Sequence, residues 1–507
     1  MNLSHWLERW AEQAPDHPAL RFEGSDIGYA ELFRRSRRLA AVLRELGIEH
    51  GDRVAHLGYN SPELVLLVFA CARLGAMLVP LNWRLAAPEH AFIVANAGAK
   101  AWLFDAGFAE TVKTVLPGLP ECRPVVLDGG VAAFPALADL ERTAADDVAK
   151  PAGDAADPLL IVYTSGTTGR PKGAVLTQDA VLWNAVNSTI MHDLTSRDRV
   201  LTTLPMFHVG GLNIQTLPAL HAGATIILHR RFEPAACLAA IEAERPSLTV
   251  LVPAQITALL ADPRWPSADL SSLRLVTTGS SIVPRPLIEA IHARGIPVIP
   301  VYGSTETAPI AVFLRPADAR ERIGSTGKPA PHCEMRIVDD AGIDVTDGRS
   351  GEILIRGRNV MAGYWQDAGA TAEALRDGWF HTGDIGHRDP AGFTWIDDRK
   401  KDVIISGGEN IYPAELEAVL AELPGIAENA VIGEADARWG EVPVAIVVLA
   451  PGVAIEAAAI LAAFQDRLAR FKHPRRVVFT DRLPRNSIGK VQKHELRARL
   501  CAQGFDD

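Results

Sequence analysis

Cysteine is scarce in this chain. Cys71, Cys122, Cys237, Cys333 and Cys501 are scattered over 507 residues with no paired spacing. That pattern excludes a zinc ribbon and a disulfide framework, and it points to a reducing, cytoplasmic setting. Long apolar runs are missing too. The most hydrophobic stretch, Leu64 to Pro80, is interrupted by Arg73 and Gly75, so it reads as a buried helix followed by a strand and not as an integral membrane segment. The first ten residues alternate apolar and charged positions, without the continuous apolar core of a signal peptide, and the C-terminus carries no lipidation signal. There is no basic excess. Lys and Arg number 51 against 61 Asp and Glu, for a net charge of −10, which argues against nucleic acid as the main partner. No internal repeat of fixed period occurs. What is present, 48% hydrophobic and 22% charged residues, is the composition of an ordinary soluble globular protein, too long for a single core.

Periodicity gives the coarse architecture. Tyr29 to Leu46 has helical spacing, with arginines on the polar face and Gly47 as a stop. Arg53–Leu57 reads as a strand. Ser61 caps the next helix, with Pro62 at its first position and Gly75 at its end. Met77–Leu81 and Ala101–Phe104 read as strands around a helix at Pro88–Asn96. This alternation continues to about residue 300 and predicts parallel sheets covered by helices. Thr143 to Asp157 reads as a loop. After about residue 320 the texture changes: Glu334–Val338 and Glu352–Arg356 alternate as antiparallel strands do. The charge run Asp397 to Asp402 precedes a separate unit of short strands, with helices expected at Pro413–Leu423 and Ile455–Ala469.

Four segments carry chemistry. Thr164-Ser165-Gly166-Thr167-Thr168-Gly169-Arg170-Pro171-Lys172-Gly173 follows the strand-like Leu159–Tyr163. Glycines let backbone N–H groups approach an anion, hydroxyls donate further bonds, and Arg170 and Lys172 supply charge, so the stretch suits phosphate binding. Because Gly, not Ser or Thr, follows Lys172, it is not the usual nucleotide P-loop. Tyr302-Gly303-Ser304-Thr305-Glu306-Thr307 follows the strand Ile296–Val301. There an aromatic can stack on adenine, a hydroxyl can bond a phosphate oxygen, and a carboxylate can share Mg²⁺ with phosphates. Thr278-Gly279-Ser280-Ser281 ends another strand. Leu204–Gly211 sets one histidine, His208, between Phe207 and two glycines, with no second ligand spaced for a metal.

Together these segments resemble adenylate-forming enzymes, the AMP-binding superfamily of acyl-CoA synthetases, luciferases and adenylation domains. Family order is kept across residues 160–490, whereas residues 1–150 resemble the family in pattern only. The resemblance implies an α/β fold. Residues 1–400 would form an adenylation domain of parallel-rich, helix-covered sheets plus a small β subdomain. Residues 401–507 would form a small mobile α+β domain, hinged at Lys401. It assigns adenine stacking to Tyr302, an α-phosphate contact to Thr305 and Mg²⁺ to Glu306. Gly279, Ser280 and Ser281 would run along the adenine and the acyl pocket, and His208 would lie beside that pocket. Asp384, in Thr382-Gly383-Asp384, would bind the ribose diol with help from Arg399. Ser406, Gly407 and Gly408 would line a pantetheine tunnel, and Trp439 would lie near the CoA nucleotide. Lys490, in the C-terminal lysine motif, would bridge the substrate carboxylate and the α-phosphate.

The implied reaction is that of an acid–CoA ligase. A carboxylate attacks the α-phosphorus of ATP to give an acyl-adenylate and pyrophosphate; the thiol of CoA then displaces AMP. The expected cofactors are ATP, CoA and Mg²⁺. The acyl pocket is expected to be apolar, lined by His208, Val209, Gly210, Ser280, Gly303, Ala308 and Pro309, and suited to a fatty or aryl acid. Arg285 or Arg315 would anchor a second carboxylate if the acid were a dicarboxylate. Loading of a carrier-protein pantetheine and an inactive nucleotide-binding homologue are the alternatives, and homodimerisation is left open.

Overall fold

The computed structural model describes residues 2–144, 150–164, 171–280, 283–399, 402–406, 409–436, 439–465, 467–468, 470–485 and 491–503. Local signals account for many of the first elements. The helix Pro62–Leu74 starts where Ser61 Oγ accepts from the Leu64 N–H at 3.3 Å. It stops at Gly75, whose φ of 68° lies in the left-handed region that glycine enters without a Cβ penalty. Strands Arg53–Leu57, Met77–Leu81 and Ala101–Phe104 fall where alternation predicts them, and the expected helices are Tyr29–Glu45 and Ala87–Ala97.

Among the described residues, two large sheets form the bulk of the chain. One has seven strands. Five of them, Pro158–Thr164, Met77–Leu81, Arg53–Leu57, Ala101–Phe104 and Arg123–Val126, run parallel, and Lys172–Thr177 and Gly363–Tyr364 extend it antiparallel. The other has nine strands. Its parallel centre runs Val298–Tyr302, Leu275–Thr278, Leu248–Val250, Arg199–Thr202, Thr225–Leu228 and Pro18–Phe22.

Successive side chains of a strand point to opposite faces, and here both faces are buried. Val54, Leu78 and Leu160 of one sheet and Leu20, Val200 and Ile226 of the other join a single core with helices Tyr29–Glu45, Pro62–Leu74 and Gln178–His192. Ala55, Val79 and Trp102 point the other way, into a second core. Leu201, Ile227 and Val276 point into a third, beneath Pro234–Glu244 and Arg285–His292. Parallel sheets need such double cover.

The change of texture after residue 320 is an antiparallel sheet. Cys333–Val338 pairs with Gly351–Gly357, which pairs with Trp379–Arg388, which in turn pairs with Thr394–Arg399. The smaller C-terminal α+β domain is built on the hairpin Ile426–Asp436 and Gly440–Leu449. Helix Pro413–Ala421 packs on one face of its sheet and Lys493–Gln503 on the other. The helix expected over Ile455–Ala469 is shorter, Ala457–Ala462. The alanine run favours helix wherever it is left alone, but propensity is a weak prior against tertiary packing, and Phe464 turns fully into the domain core. Among the described residues no helix is long and apolar enough to cross a membrane.

Candidate active site

The nine-stranded sheet gathers three of the sequence segments. Arg199–Thr202, Leu275–Thr278 and Val298–Tyr302 are parallel, so their C-terminal ends bring Leu204–His208, Gly279–Ser280 and Tyr302–Thr307 to one edge. That is where ligands sit in open α/β sheets. The half-buried Tyr302 donates its hydroxyl to Asp384 Oδ2 at 2.9 Å. Asp384 is only 7% exposed; its N–H donates to Thr382 Oγ1 at 3.0 Å, and its backbone pairs with that of Arg399 on the neighbouring strand. Three residues expected at one ribose–adenine site therefore converge from sequence positions about a hundred apart.

Beyond Tyr302 the chain doubles back. A Cβ on Gly303 would lie 1.7 Å from the Pro309 carbonyl oxygen, so only glycine permits this close approach. Thr305–Thr307 forms one 3-10 turn, fixed by the Ser304 N–H donating to Thr307 Oγ1 at 2.9 Å. The buried Asn359 holds the loop from behind, donating to the carbonyls of Thr307 at 2.7 Å and Ile310 at 3.0 Å. Glu306 Oε1 accepts the Tyr364 hydroxyl at 2.8 Å. The Lys172 ammonium lies 5.5 Å from the centroid of the same Tyr364 ring, within cation–π range.

Lys172 reaches that position because the phosphate-type stretch connects an antiparallel pair. Thr164 and Lys172 are directly opposite in register, and Thr164 Oγ1 donates to the Lys172 carbonyl at 3.4 Å. Strand Gly363–Tyr364 then adds to the outer side of Lys172–Thr177. Ser165, Gly166, Thr167, Thr168 and Gly169, like Ser281, Lys401, Gly407, Gly408 and Lys490, lie outside the described residues. An isolated antiparallel bridge between Arg485 and Val491 flanks the position of Lys490.

The third segment is more apolar. The Phe207 and His208 rings are 4.3 Å apart, Trp83 meets Phe207 edge-on at 6.4 Å, and the Arg84 guanidinium covers Trp83 at 4.4 Å. Burial pushes the His208 imidazole down to about 3, with the Arg84 charge adding to the effect, so the ring is neutral near pH 7. Its Nε2 is buried without a hydrogen-bond partner among the described residues. Of the expected acyl lining, Val209, Ala308 and Pro309 are buried, Gly210 is half-buried, and Ser280 and Gly303 are exposed. Arg285 pairs with Glu289 at 2.7 Å and Arg315 with Asp193 at 2.9 Å, so neither cation stands ready for a second substrate carboxylate. In the C-terminal domain Ser406 pairs with Gly440, which brings it beside the partly exposed Trp439.

The donor set fits a nucleotide. An aromatic–carboxylate pair, a lysine and a separate carboxylate suit adenine and ribose, a polyphosphate and a divalent cation respectively. Among the described residues no cluster of three or more His, Cys, Asp or Glu is arranged to hold a metal alone. Mg²⁺ usually takes one or two carboxylates and completes its shell with phosphate oxygens and water, which a lone Glu306 matches. A separate open cleft of about 420 Å³ lies at residues 331–334 and 356–358. Its cations are engaged, Arg356 by Glu334 and Arg358 by Asp179. Tyr364, Asn359, Trp83 and Arg84 did not emerge from the sequence. The Gly363-Tyr364-Trp365 triplet was the one available signal, and nothing local ties it to Glu306.

Fold and site define a nucleotide-dependent, adenylate-forming enzyme. The chain belongs to the AMP-binding enzyme family: the family model matches residues 7–365, and the model of the AMP-binding enzyme C-terminal domain matches residues 415–490. It is 52% identical to an indoleacetate–CoA ligase of Aromatoleum aromaticum, covering 100% of this chain and 99% of the relative. Among solved structures it is similar to ATP-bound MatB from Rhodopseudomonas palustris (TM-score 0.92, 32% identity, 99% of this chain and 100% of that one). It is also similar to an o-succinylbenzoate CoA synthetase from Bacillus subtilis in complex with its acyl-adenylate intermediate (TM-score 0.86, 35% identity, 97% of each chain). The chain thus carries the acyl-adenylate-forming CoA ligase activity of its family, acting on a carboxylic acid with ATP and CoA.

Proposed function

We propose that the acid is an aryl acid, activated through an aryl-adenylate and passed to free CoA. The observation that carries this reading is the aromatic wall of the acyl segment. Trp83, Phe207 and His208 form a continuous ring-to-ring surface, and the imidazole is held neutral by burial. Flat rings pack on such a surface with offset or edge contacts. The relative named for indoleacetate, similar over its whole length, supports the same class.

In this reading Thr164 to Lys172 holds the β- and γ-phosphates, Thr305 bonds the α-phosphate, and Tyr302, Asp384 and Arg399 hold the adenosine. Glu306 holds Mg²⁺ jointly with the phosphates. When bound, the ion withdraws charge from the phosphoryl oxygens and neutralises the pyrophosphate that leaves. The substrate carboxylate oxygen attacks the α-phosphorus while the bond to the pyrophosphate oxygen breaks. Charge gathers on the α-phosphoryl oxygens, where preplaced donors and cations count most. Lys490 is the proposed cation there. Residues 401–507 then rotate about Lys401, bringing Ser406 to Gly408 and Trp439 to the CoA, whose thiol displaces AMP from the acyl carbonyl. One site cannot hold both Lys490 and the Ser406–Gly408 loop at once, which is why a rotation is needed.

ATP–pyrophosphate exchange over a panel of arylacetic, cinnamic, benzoic and alkanoic acids tests the class, with free CoA added to detect thioester by mass. Aryl acids are expected to give the highest kcat/KM; highest turnover with alkanoates would overturn the aryl reading. Lys490→Ala is expected to lose roughly 10²–10³ in exchange rate yet still convert supplied acyl-AMP to thioester. Equal damage to both half-reactions would remove Lys490 from its assigned step.

A further inference from the structure

The turn that carries Asp384 interrupts a β ladder. Strands Gly351–Gly357 and Trp379–Arg388 run antiparallel, with Leu354 opposite His381 and Glu352 opposite Ile385. Between those two pairs a single residue, Ile353, faces Thr382, Gly383 and Asp384. The surplus residues bulge out of the sheet, and bulges of this kind re-aim side chains next to active sites. Gly383 makes the bend, at a φ of 66° in the left-handed region.

A bulge gives up ladder bonds, so its backbone needs other partners. The Thr382 hydroxyl donates to the Ile353 carbonyl at 2.7 Å and accepts the Asp384 N–H at 3.0 Å. The Gly383 N–H donates to Glu352 Oε1 at 3.3 Å. The Glu352 side chain is only 12% exposed, and it reaches the bulge from the strand opposite. Its other oxygen lies 3.7 Å from His381 Nδ1, beyond hydrogen-bond distance. That nitrogen accepts from Arg376 Nη2 at 2.7 Å, because a guanidinium only donates, so it carries no proton for Glu352. The carboxylate is instead spent on the peptide that sets where Asp384 points. A charged acceptor holds an N–H about twice as strongly as a neutral one.

We infer that Glu352 is a positioning residue for the ribose. It fixes the Gly383 peptide and thereby the direction of the Asp384 carboxylate, whose Oδ2 the Tyr302 hydroxyl holds from the other side at 2.9 Å. The inference rests on the proposed role of Asp384 at the ribose diol and deepens it. Glu352 acts through Asp384, so its loss is felt by a nucleotide that offers ribose hydroxyls and not by one that lacks them.

The probes are ATP and 2′,3′-dideoxy-ATP, compared by pyrophosphate exchange with one saturating acid. The wild-type enzyme is expected to favour ATP by roughly tenfold to a hundredfold in kcat/KM. Glu352→Leu is expected to lose most of that preference through a higher KM for ATP, while dideoxy-ATP is used as by the wild type. Glu352→Gln keeps the shape and a neutral acceptor, so its preference should fall between the two. A thermal melt identifies the folded variants, and the glutamine protein decides the question if the leucine protein does not fold. A merely structural role would lower exchange with both nucleotides alike. A ratio that stays at the wild-type value in the deciding variant, whether both activities hold or both fall together, overturns the inference and leaves the Asp384 reading intact. Equal use of the two nucleotides by the wild-type enzyme overturns the ribose role of Asp384 and this inference with it.

Discussion

Glu306, Tyr364 and Lys172 form the smallest unit with chemical meaning here. The Tyr364 hydroxyl donates to Glu306 while its ring faces the Lys172 ammonium, so one aromatic side chain sets a carboxylate and a cation around one space. Glu306→Gln keeps the shape and removes the charge. Adenylation, read by ATP–pyrophosphate exchange, is expected to fall and to recover in part as Mg²⁺ is raised; wild-type rates at low Mg²⁺ would exclude the metal role. Tyr364→Phe leaves the charge but frees the carboxylate. A hydrogen bond to a charged group contributes about 1.5–3 kcal/mol, so exchange should fall by about tenfold to a hundredfold with the protein still folded by thermal melt. Tyr302, Thr305 and Glu306 could be picked out of the sequence because they are contiguous and end a strand. Tyr364 could not, because the 58 residues separating it from Glu306 are closed only by pairing of Gly363–Tyr364 with Lys172–Thr177, and which strands become neighbours in a sheet is not a local property.

Elements show the same division. The helix Pro62–Leu74 was legible to the residue, since a serine cap, a proline at the first turn and a terminal glycine act within a few positions. The Ala457–Ala462 helix was overextended because an alanine-rich run has no stop signal of its own. The strand-to-loop turn at Gly303 was legible as a glycine, but its reason appears only in three dimensions, in the approach of the Pro309 carbonyl. Gly303→Ala must therefore displace the segment that carries Thr305 and Glu306. The expected outcome is a lowered melting temperature together with loss of exchange activity, at a cost of about 1–3 kcal/mol of stability. A variant with unchanged melting and unchanged exchange would contradict the close approach. By contrast a Cβ on Gly210 would meet only Ile214 Cδ1, in ordinary contact at 4.0 Å, so the effect of Gly210→Ala should fall on acid preference with little change in melting.

At the scale of the molecule, two opposed demands meet: a rigid pair of sheets and the proposed rotation of the C-terminal domain. Lys401→Pro fixes φ near −65°. The expected result is adenylation retained and thioester formation from supplied acyl-AMP lowered by orders of magnitude; wild-type rates in both half-reactions would move the pivot elsewhere. Rigidity has a pH signature. Burial pushes His56 down to about 3 and His192 to about 4, so both are neutral when folded and take up protons on unfolding below about 6.5. Their stabilising contribution is complete above that value and is lost as pH falls toward 3–4, by up to about 1.4 kcal/mol per unit for each group. His56→Leu should flatten the drop in urea midpoint between pH 7.5 and 5; an unchanged drop would show that His56 is not the cause. One feature of the nine-stranded sheet reaches beyond the folded state. Pro18–Phe22 pairs with Thr225–Leu228, and the Pro18 carbonyl accepts from Thr225 Oγ1 across 207 residues of sequence. A ribosome adding about 5–20 residues per second exposes the early strand on the order of ten to forty seconds before its neighbour is made. Through that interval Pro18–Phe22 has its hairpin partner Ser25–Gly28 but one open edge, and nascent-chain chaperones would have their longest access to this enzyme there.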